Sequence, residues 1–395
     1  MKFIICVYLF LISIDFSTPT IAPSKKKAKE KELKIKKGPQ DLNVYERNLV
    51  EEEPAAKEIL VENAAYYKDT GKKNFNGTIL GYITPWNNHG YDVAKIWGKK
   101  FDIISPVWLQ VLRKGENSYI LAGVHDVDIN WMKDVRKAGK SDYHSLKIYP
   151  RVIFDKFGDK DYNRLLSFPS ERQAVNKMIV KACHDYKFDG IVLEVWMQLA
   201  ARVDDDVLYR LIIELADALK IEGYELILVI PPLREQMKDL FSSVHFEKLY
   251  NNVQAFSLMT YDFSSLQRPG ANAPLHWMRT SIENIVPTSL SNYDVKRKKI
   301  LLGLNMYGYD YTPDGGGAII GSQFLDLLKH VKKRLIYDEH DVENFFEVKT
   351  QSGRHIVFYP TLHSLHSRIK LAEELGVGLS LWEMGQGLDY FYDLF

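Results

Sequence analysis

The residues best suited to chemistry in this chain lie where short apolar runs end. Trp86, Trp196, Tyr261, Asp262, Tyr307, Tyr309, Trp382 and Glu383 all fall at such ends. The set is rich in aromatics and thin in acids, a composition that suits stacking against sugar rings. One run poses the sharpest question. "FDGIVLEVW", residues 188–196, opens on Asp189-Gly190 and alternates Val192, Glu194 and Trp196 on one face of a buried strand. An enzyme would place its proton donor at the end of that strand, where this chain has tryptophan.

The elements that position these residues follow a rhythm. Apolar, β-branched runs recur at 79–86, 101–111, 146–154, 188–196, 224–232, 253–262, 300–310 and 377–385. Between them lie helix-like stretches such as "ERQAVNKMIVKACHDY", "DVLYRLIIELADALKIEG" and "TLHSLHSRIKLAEELG". The last two end in glycine, as helix C-termini prefer. Eight strands alternating with helices predict an α/β fold, a parallel (β/α)8 TIM barrel, with its working face at the C-terminal strand ends. A doubly wound open sheet is the rival, but it needs fewer strands and a Gly-rich first turn, which "ITPWNNHG" is not. "ENFFEVKTQSGRHIVFYP" predicts a small β-hairpin inserted between the seventh and eighth units.

The remaining features set bounds. With 395 residues, 46% hydrophobic and 12% aromatic, the chain has ample material for a core. Its 52 basic and 51 acidic residues leave a net charge of +1, so no bulk attraction to nucleic acid or anionic membrane follows. Residues 1–22 have the pattern of a secretory signal peptide, with an apolar run shorter than the ~20 residues a bilayer span needs. Residues 23–45 read as a Lys-rich disordered leader, 46–74 as a helical extension and 75–395 as the barrel. Cys183 is then alone in the mature chain and reads as buried packing rather than a reactive thiol. Asn76 opens a glycosylation sequon, "NGT". "DGGGAIIG" (314–321) reads as a flexible loop rather than a phosphate cradle, and "HDVD" (125–128) as a loop without a ligand set. No cofactor and no metal are expected.

The strand ends resemble a family. "FDGIVLEVW" is similar to the fourth strand of family 18 glycoside hydrolases, the chitinases, whose pattern is Asp-Gly-x-Asp-x-Asp-x-Glu. "LMTYD" resembles their sixth-strand Met-x-Tyr-Asp, and Trp382 in "SLWEMG" the tryptophan that floors the sugar pocket. "NAPLHW" (272–277), "LGLNMYGYDY" and the C-terminal "LWEMGQGLDYFYDLF" add to the likeness, which spans roughly residues 75–395. It is nearest the stabilin-interacting, chitinase-domain-containing branch, and looser with the spore-cortex glucosaminidases. The third run, "LKIYPRVIF", lacks the family's Ser-x-Gly-Gly. In the fourth, Val192 replaces the second acid, Glu194 lengthens the third, and Trp196 replaces the terminal glutamate.

The resemblance implies a substrate-assisted chemistry in which the protein supplies one carboxylic acid to protonate the leaving oxygen. An indole N–H cannot do this. Glu194 sits two residues deeper, roughly 6.6 Å at ~3.3 Å per residue, and is expected to bond polar neighbours such as Tyr261 inside the barrel. The expectation is therefore a pseudoenzyme without catalytic residues: a chitinase-like lectin for chitooligosaccharides or other N-acetylated glycans. Its candidate sugar contacts are Tyr82, Trp86, Glu194, Trp196, Met259, Tyr261, Asp262, Trp277, Tyr307, Trp382 and Glu383, with Trp196 either a platform or a plug. Two alternatives stand beside it: a residual glycosidase whose acid is Glu194 or Glu383, and a protein-interaction scaffold with a vestigial groove. The resemblance further implies secretion or lysosomal residence and the scavenger receptor stabilin as a partner.

Overall fold

Side chains along a strand alternate between its two faces, so a run buried on both faces reads as continuously apolar. The eight runs do so, and each supplies a barrel strand in a computed structural model that describes residues 33–141, 145–234, 240–351 and 353–395. The expected signal peptide and leader up to residue 32 lie outside the described residues. Strands one and two are Ile79–Ile83 and Ile103–Pro106, the latter continuing as Leu109–Gly115. The third comes in two pieces, Lys147–Ile148 and Arg151–Phe154, separated at Pro150, which has no N–H for the ladder. Gly190–Glu194, Glu225–Ile230, Ala255–Leu258, Ile300–Asn305 and Gly378–Trp382 follow. Neighbouring barrel strands pair in parallel, and the eighth pairs with the first through Leu379–Ile79 and Leu381–Gly81, which closes the ring.

Closure divides the core in two. Leu80, Tyr82, Tyr149, Val192, Ile227 and Val229 fill the barrel interior. Ile191, Leu193 and Val195 face outward, under the helices. Pro169–Tyr186, Asp205–Ile221, Leu275–Ile285 and Leu362–Leu375 form part of that outer layer. Asp204 and Thr361 cap two of these helices through their side-chain oxygens, and Gly376, at φ +67°, ends the last. Cys183 is on the buried side of the helix Pro169–Tyr186, where burial pushes its thiol up to about 12. No helix among the described residues is long and apolar enough to cross a membrane.

Two regions differ from the sequence expectation. In place of a lone hairpin, the insertion before the eighth strand is a five-stranded antiparallel sheet. Its order is Gly315–Ile319, Gly308–Thr312, Gly353–Phe358, Glu343–Thr350, Ile336–Asp338. The Gly-rich "DGGGAIIG" is thus an edge strand, not a flexible loop. Gly316 requires its glycine: φ is +86°, and a Cβ would lie 1.9 Å from the Asp310 carbonyl oxygen. The second difference is the N-terminal extension. Its helix is only Ala56–Glu62, beginning after Pro54, and Ala64–Tyr67 pairs in parallel with Lys37–Gln40, inside the expected disordered leader. Tertiary contacts override the local helical pattern there: Arg47 bridges Glu62 (2.8 Å) and Asp393 (3.4 Å), and the Tyr67 N–H donates to Asp393 (2.8 Å).

A buried ion pair fastens the insertion to the barrel. Glu343 accepts the N–H groups of Asn272 (2.9 Å) and Ala273 (2.7 Å) and pairs with Arg368 at 2.9 Å. Arg368 also donates to the carbonyls of Val342, Ser364 and Ala273. Removing one partner strands the other charge away from water. Glu343→Ala is therefore expected to lower unfolding stability by about 3–5 kcal/mol, read as a fall in the urea midpoint.

Candidate functional site

The C-terminal mouth of the barrel holds a cavity of about 180 Å³ lined by Tyr82, Glu194, Val229, Met259, Tyr261, Asp262 and Trp382. Tyr82 enters from the first strand, donates its hydroxyl to Ser257 Oγ (2.8 Å), and lies against Trp382 with ring centroids 5.1 Å apart. Burial pushes the Tyr82 and Tyr261 hydroxyls above the ordinary tyrosine range, so both are proton-bearing donors at neutral pH. Val192 and Val229 belong to the apolar barrel interior below them.

Two carboxylates reach this space, and each has partners. Glu194 faces inward on the fourth strand and pairs with Arg151 Nη1 at 3.2 Å rather than with Tyr261. Asp262 adopts φ +59°, a conformation aspartate tolerates better than most residues. Its Oδ1 accepts the hydroxyls of Tyr307 and of Tyr309 (3.0 Å). Its backbone is fixed as well: the N–H donates to Asn272 Oδ1 (2.7 Å) and the carbonyl accepts Arg234 (2.8 Å). Because Asn272 also binds Glu343, the insertion seam holds the Asp262 loop. An adjoining hollow of about 120 Å³ shares Met259, Tyr261 and Asp262 and adds Met197, Pro231, Pro232, Arg234 and Leu240.

Of the sequence candidates, Tyr82, Glu194, Met259, Tyr261, Asp262 and Trp382 come together here, and five do not line this cavity. Trp196 is fully buried in the outer layer, neither platform nor plug. The fourth strand ends at Glu194, Val195 leaves the extended region (φ −127°, ψ −25°), and Trp196 begins a helical turn, Trp196–Leu199. Its indole donates to the Leu240 carbonyl (2.7 Å) and packs on Phe241 at 4.9 Å. Trp277 is buried against Phe263 and donates to the Leu233 carbonyl (2.6 Å). Tyr307 stands behind Asp262 as its hydrogen-bond donor. Trp86, 66% exposed, lines a separate groove of about 440 Å³ with His89, Leu325 and Asp389. Glu383 is wholly buried, accepting from Asn87 Nδ2 (2.8 Å) and the Gly385 N–H (2.9 Å).

Sequence reasoning missed Arg151, one of two cations, with Lys147, in the otherwise apolar run "LKIYPRVIF". Its position was the available sign, since an unpaired arginine is costly inside a barrel. Asp189, the one acid shared with the family motif, lies at the other end of the fourth strand and accepts Arg136 (2.7 Å) and the Ile148 N–H (2.8 Å). Asn76 is exposed just before the first strand, away from the mouth.

Fold and cavity together define a closed α/β barrel with an aromatic-walled pocket at its C-terminal mouth. The chain belongs to the glycosyl hydrolases family 18, whose profile matches residues 78–387. It is similar to the cortical fragment-lytic enzyme of Bacillus subtilis, 24% identical over 240 residues, which cover 58% of this chain and 54% of that protein. The chain thus spans about half the length of that relative. Among solved structures, a chitinase from Chromobacterium violaceum superposes with TM-score 0.66 at 19% identity, over 80% of this chain and 97% of the other. A Cycas revoluta family 18 chitinase in complex with (GlcNAc)3 gives 0.63 at 15% identity, over 80% and 98%.

Burial is the main influence on Glu383 and pushes its carboxyl up to about 7 from an ordinary value near 4.5, with hydrogen bonds from Gly385, Asn87 and Thr84 offsetting it only in part. Between those values the folded chain holds a proton that the unfolded chain releases, so stability present at low pH is lost as pH rises. Glu383→Gln should flatten that dependence between pH 4.5 and 7, by up to about 3 kcal/mol in unfolding free energy measured by denaturant titration at each pH.

Proposed function

We propose that this chain binds oligosaccharides bearing N-acetyl groups in the Tyr82–Trp382 cavity and does not cleave them. The observation that carries the reading is the absence of a free carboxylic acid among the described residues that line the cavity. Glu194 is engaged by Arg151 and Asp262 by two tyrosine hydroxyls. The position that the family resemblance reserves for the proton donor is Trp196, whose indole is turned out of the cavity. Trp382 and Tyr82 offer an aromatic wall for a sugar face, and Asp262 offers its carboxylate to an amide N–H or hydroxyl. The Cycas revoluta relative, solved with (GlcNAc)3, supports this ligand class. Secretion, from the signal-peptide pattern of residues 1–22, glycosylation at the Asn76 sequon, and contact with stabilin, implied by the family resemblance, belong to the same proposal.

The second reading, a residual glycosidase, has one observation in its favour: Glu194 lines the cavity with 28% of its side chain exposed. Glu383 does not share that support, because it is enclosed elsewhere despite its raised pKa. Incubation with (GlcNAc)4, followed by chromatography of the products, separates the readings. No turnover above background is expected, since loss of general acid catalysis alone costs roughly 10²–10⁴-fold. Calorimetric titration should give saturable binding that Trp382→Ala weakens about tenfold or more. Steady hydrolysis abolished by Glu194→Gln would overturn the proposal in favour of the glycosidase, and absence of saturable binding would overturn it in favour of a scaffold.

A further inference from the structure

Away from the barrel mouth, where the insertion meets the helix after the sixth strand, two imidazoles and a carboxylate converge. His276 is the second residue of Leu275–Ile285, and His340 and Asp341 lie in the turn between Ile336–Asp338 and Glu343–Thr350. His276 Nδ1 is 3.8 Å from Asp341 Oδ1, His340 Nε2 is 3.9 Å from the same oxygen, and all three ligand atoms fall within 4.8 Å of one another. The two rings face each other with centroids 4.6 Å apart.

These separations exceed hydrogen-bond length, so the pairs do not explain one another as ordinary ring-to-carboxylate hydrogen bonds. They come close to another requirement. Three ligands about 2.0–2.1 Å from a tetrahedral zinc ion stand roughly 3.3 Å apart, so each separation has to close by about 0.5–1.5 Å. The histidine side chains are 49% and 80% exposed, which leaves the rings free to make that adjustment. The backbone around them is already held. Asp338 Oδ1 accepts the N–H groups of His340 (2.9 Å) and Asp341 (3.1 Å), fixing the turn. The Leu275 N–H donates to the Asp341 carbonyl (3.1 Å), locking that turn against the helix start. That bond also occupies one of the helix's free terminal donors beside the cluster.

We propose that His276, His340 and Asp341 form a binding site for a borderline divalent cation, Zn²⁺ fitting best, with solvent completing the tetrahedron. Two imidazoles with one carboxylate suit zinc; Mg²⁺ and Ca²⁺ prefer sets made entirely of oxygen. The ion would clip the insertion turn to the helix two residues from Glu343, the residue whose bonds to Asn272 lead on to Asp262. It therefore acts as a cross-link across the seam that holds one wall of the cavity, and its binding does not depend on whether that cavity takes sugar.

Calorimetric titration of the chelator-treated, dialysed full chain with ZnCl2 tests this directly. One Zn²⁺ per chain is expected, with a rise of a few degrees in melting temperature at saturating zinc and no response to millimolar MgCl2. His276→Gln and His340→Gln, both at exposed positions, should each weaken binding at least tenfold. His125→Gln, another exposed histidine remote in sequence, should leave it unchanged. Failure to bind zinc saturably, or wild-type affinity in both His276→Gln and His340→Gln, would overturn the proposal.

Discussion

A closed barrel admits only alternate residues of each strand to its interior, and that constraint sorts the whole chain. Val192 and Glu194 go inward while Ile191, Leu193 and Val195 go outward, and the inward set ends at the mouth in Tyr82, Glu194 and Trp382. The alternation lasts only as long as the backbone stays extended. At Val195 it stops, and the next side chain is released from the pattern. Trp196 then joins Phe241 and His245 in the outer layer, apart from the side chains that line the mouth.

The second organising element is polar. Asp262, Asn272, Glu343 and Arg368 form a continuous hydrogen-bonded path from the cavity to the buried seam of the insertion. Buried charges persist when each is met by partners, and here backbone N–H groups and carbonyls supply most of them. The five-stranded sheet is therefore tied to the wall of the pocket, and the tyrosines it contributes complete the set around Asp262. Tyr309 lies on Gly308–Thr312, and Tyr307 stands just before it.

Much of this was legible beforehand. Eight apolar runs announced eight barrel strands because burial on both faces keeps such strands predominantly apolar. Six of the eleven candidate contacts meet in one cavity because they sit at the ends of strands whose direction the parallel pairing dictates. The remainder escaped for identifiable reasons. Arg151 looked like an isolated charge, since its partner is 43 positions away in sequence and adjacent only across paired strands. Gly315–Ile319 has poor strand propensity and gains its structure by pairing with Gly308–Thr312. The extension over 46–74 read as helical because its local pattern is helical, while its strand pairs with Lys37–Gln40 and bonds the C-terminal segment.

The barrel, the family and the aromatic character of the mouth are written in the residue order, because they follow from periodicity and from residue types at fixed offsets along each strand. Tertiary structure decided the direction of the side chains just past the strand ends. "FDGIVLEVW" places Trp196 on the same face as Glu194 if the strand is imagined two residues longer, and on the other side of the sheet once it stops at Glu194. No residue type in the run specifies that stop. It is set by the packing of the indole on Phe241 and its hydrogen bond to Leu240, residues more than forty positions away.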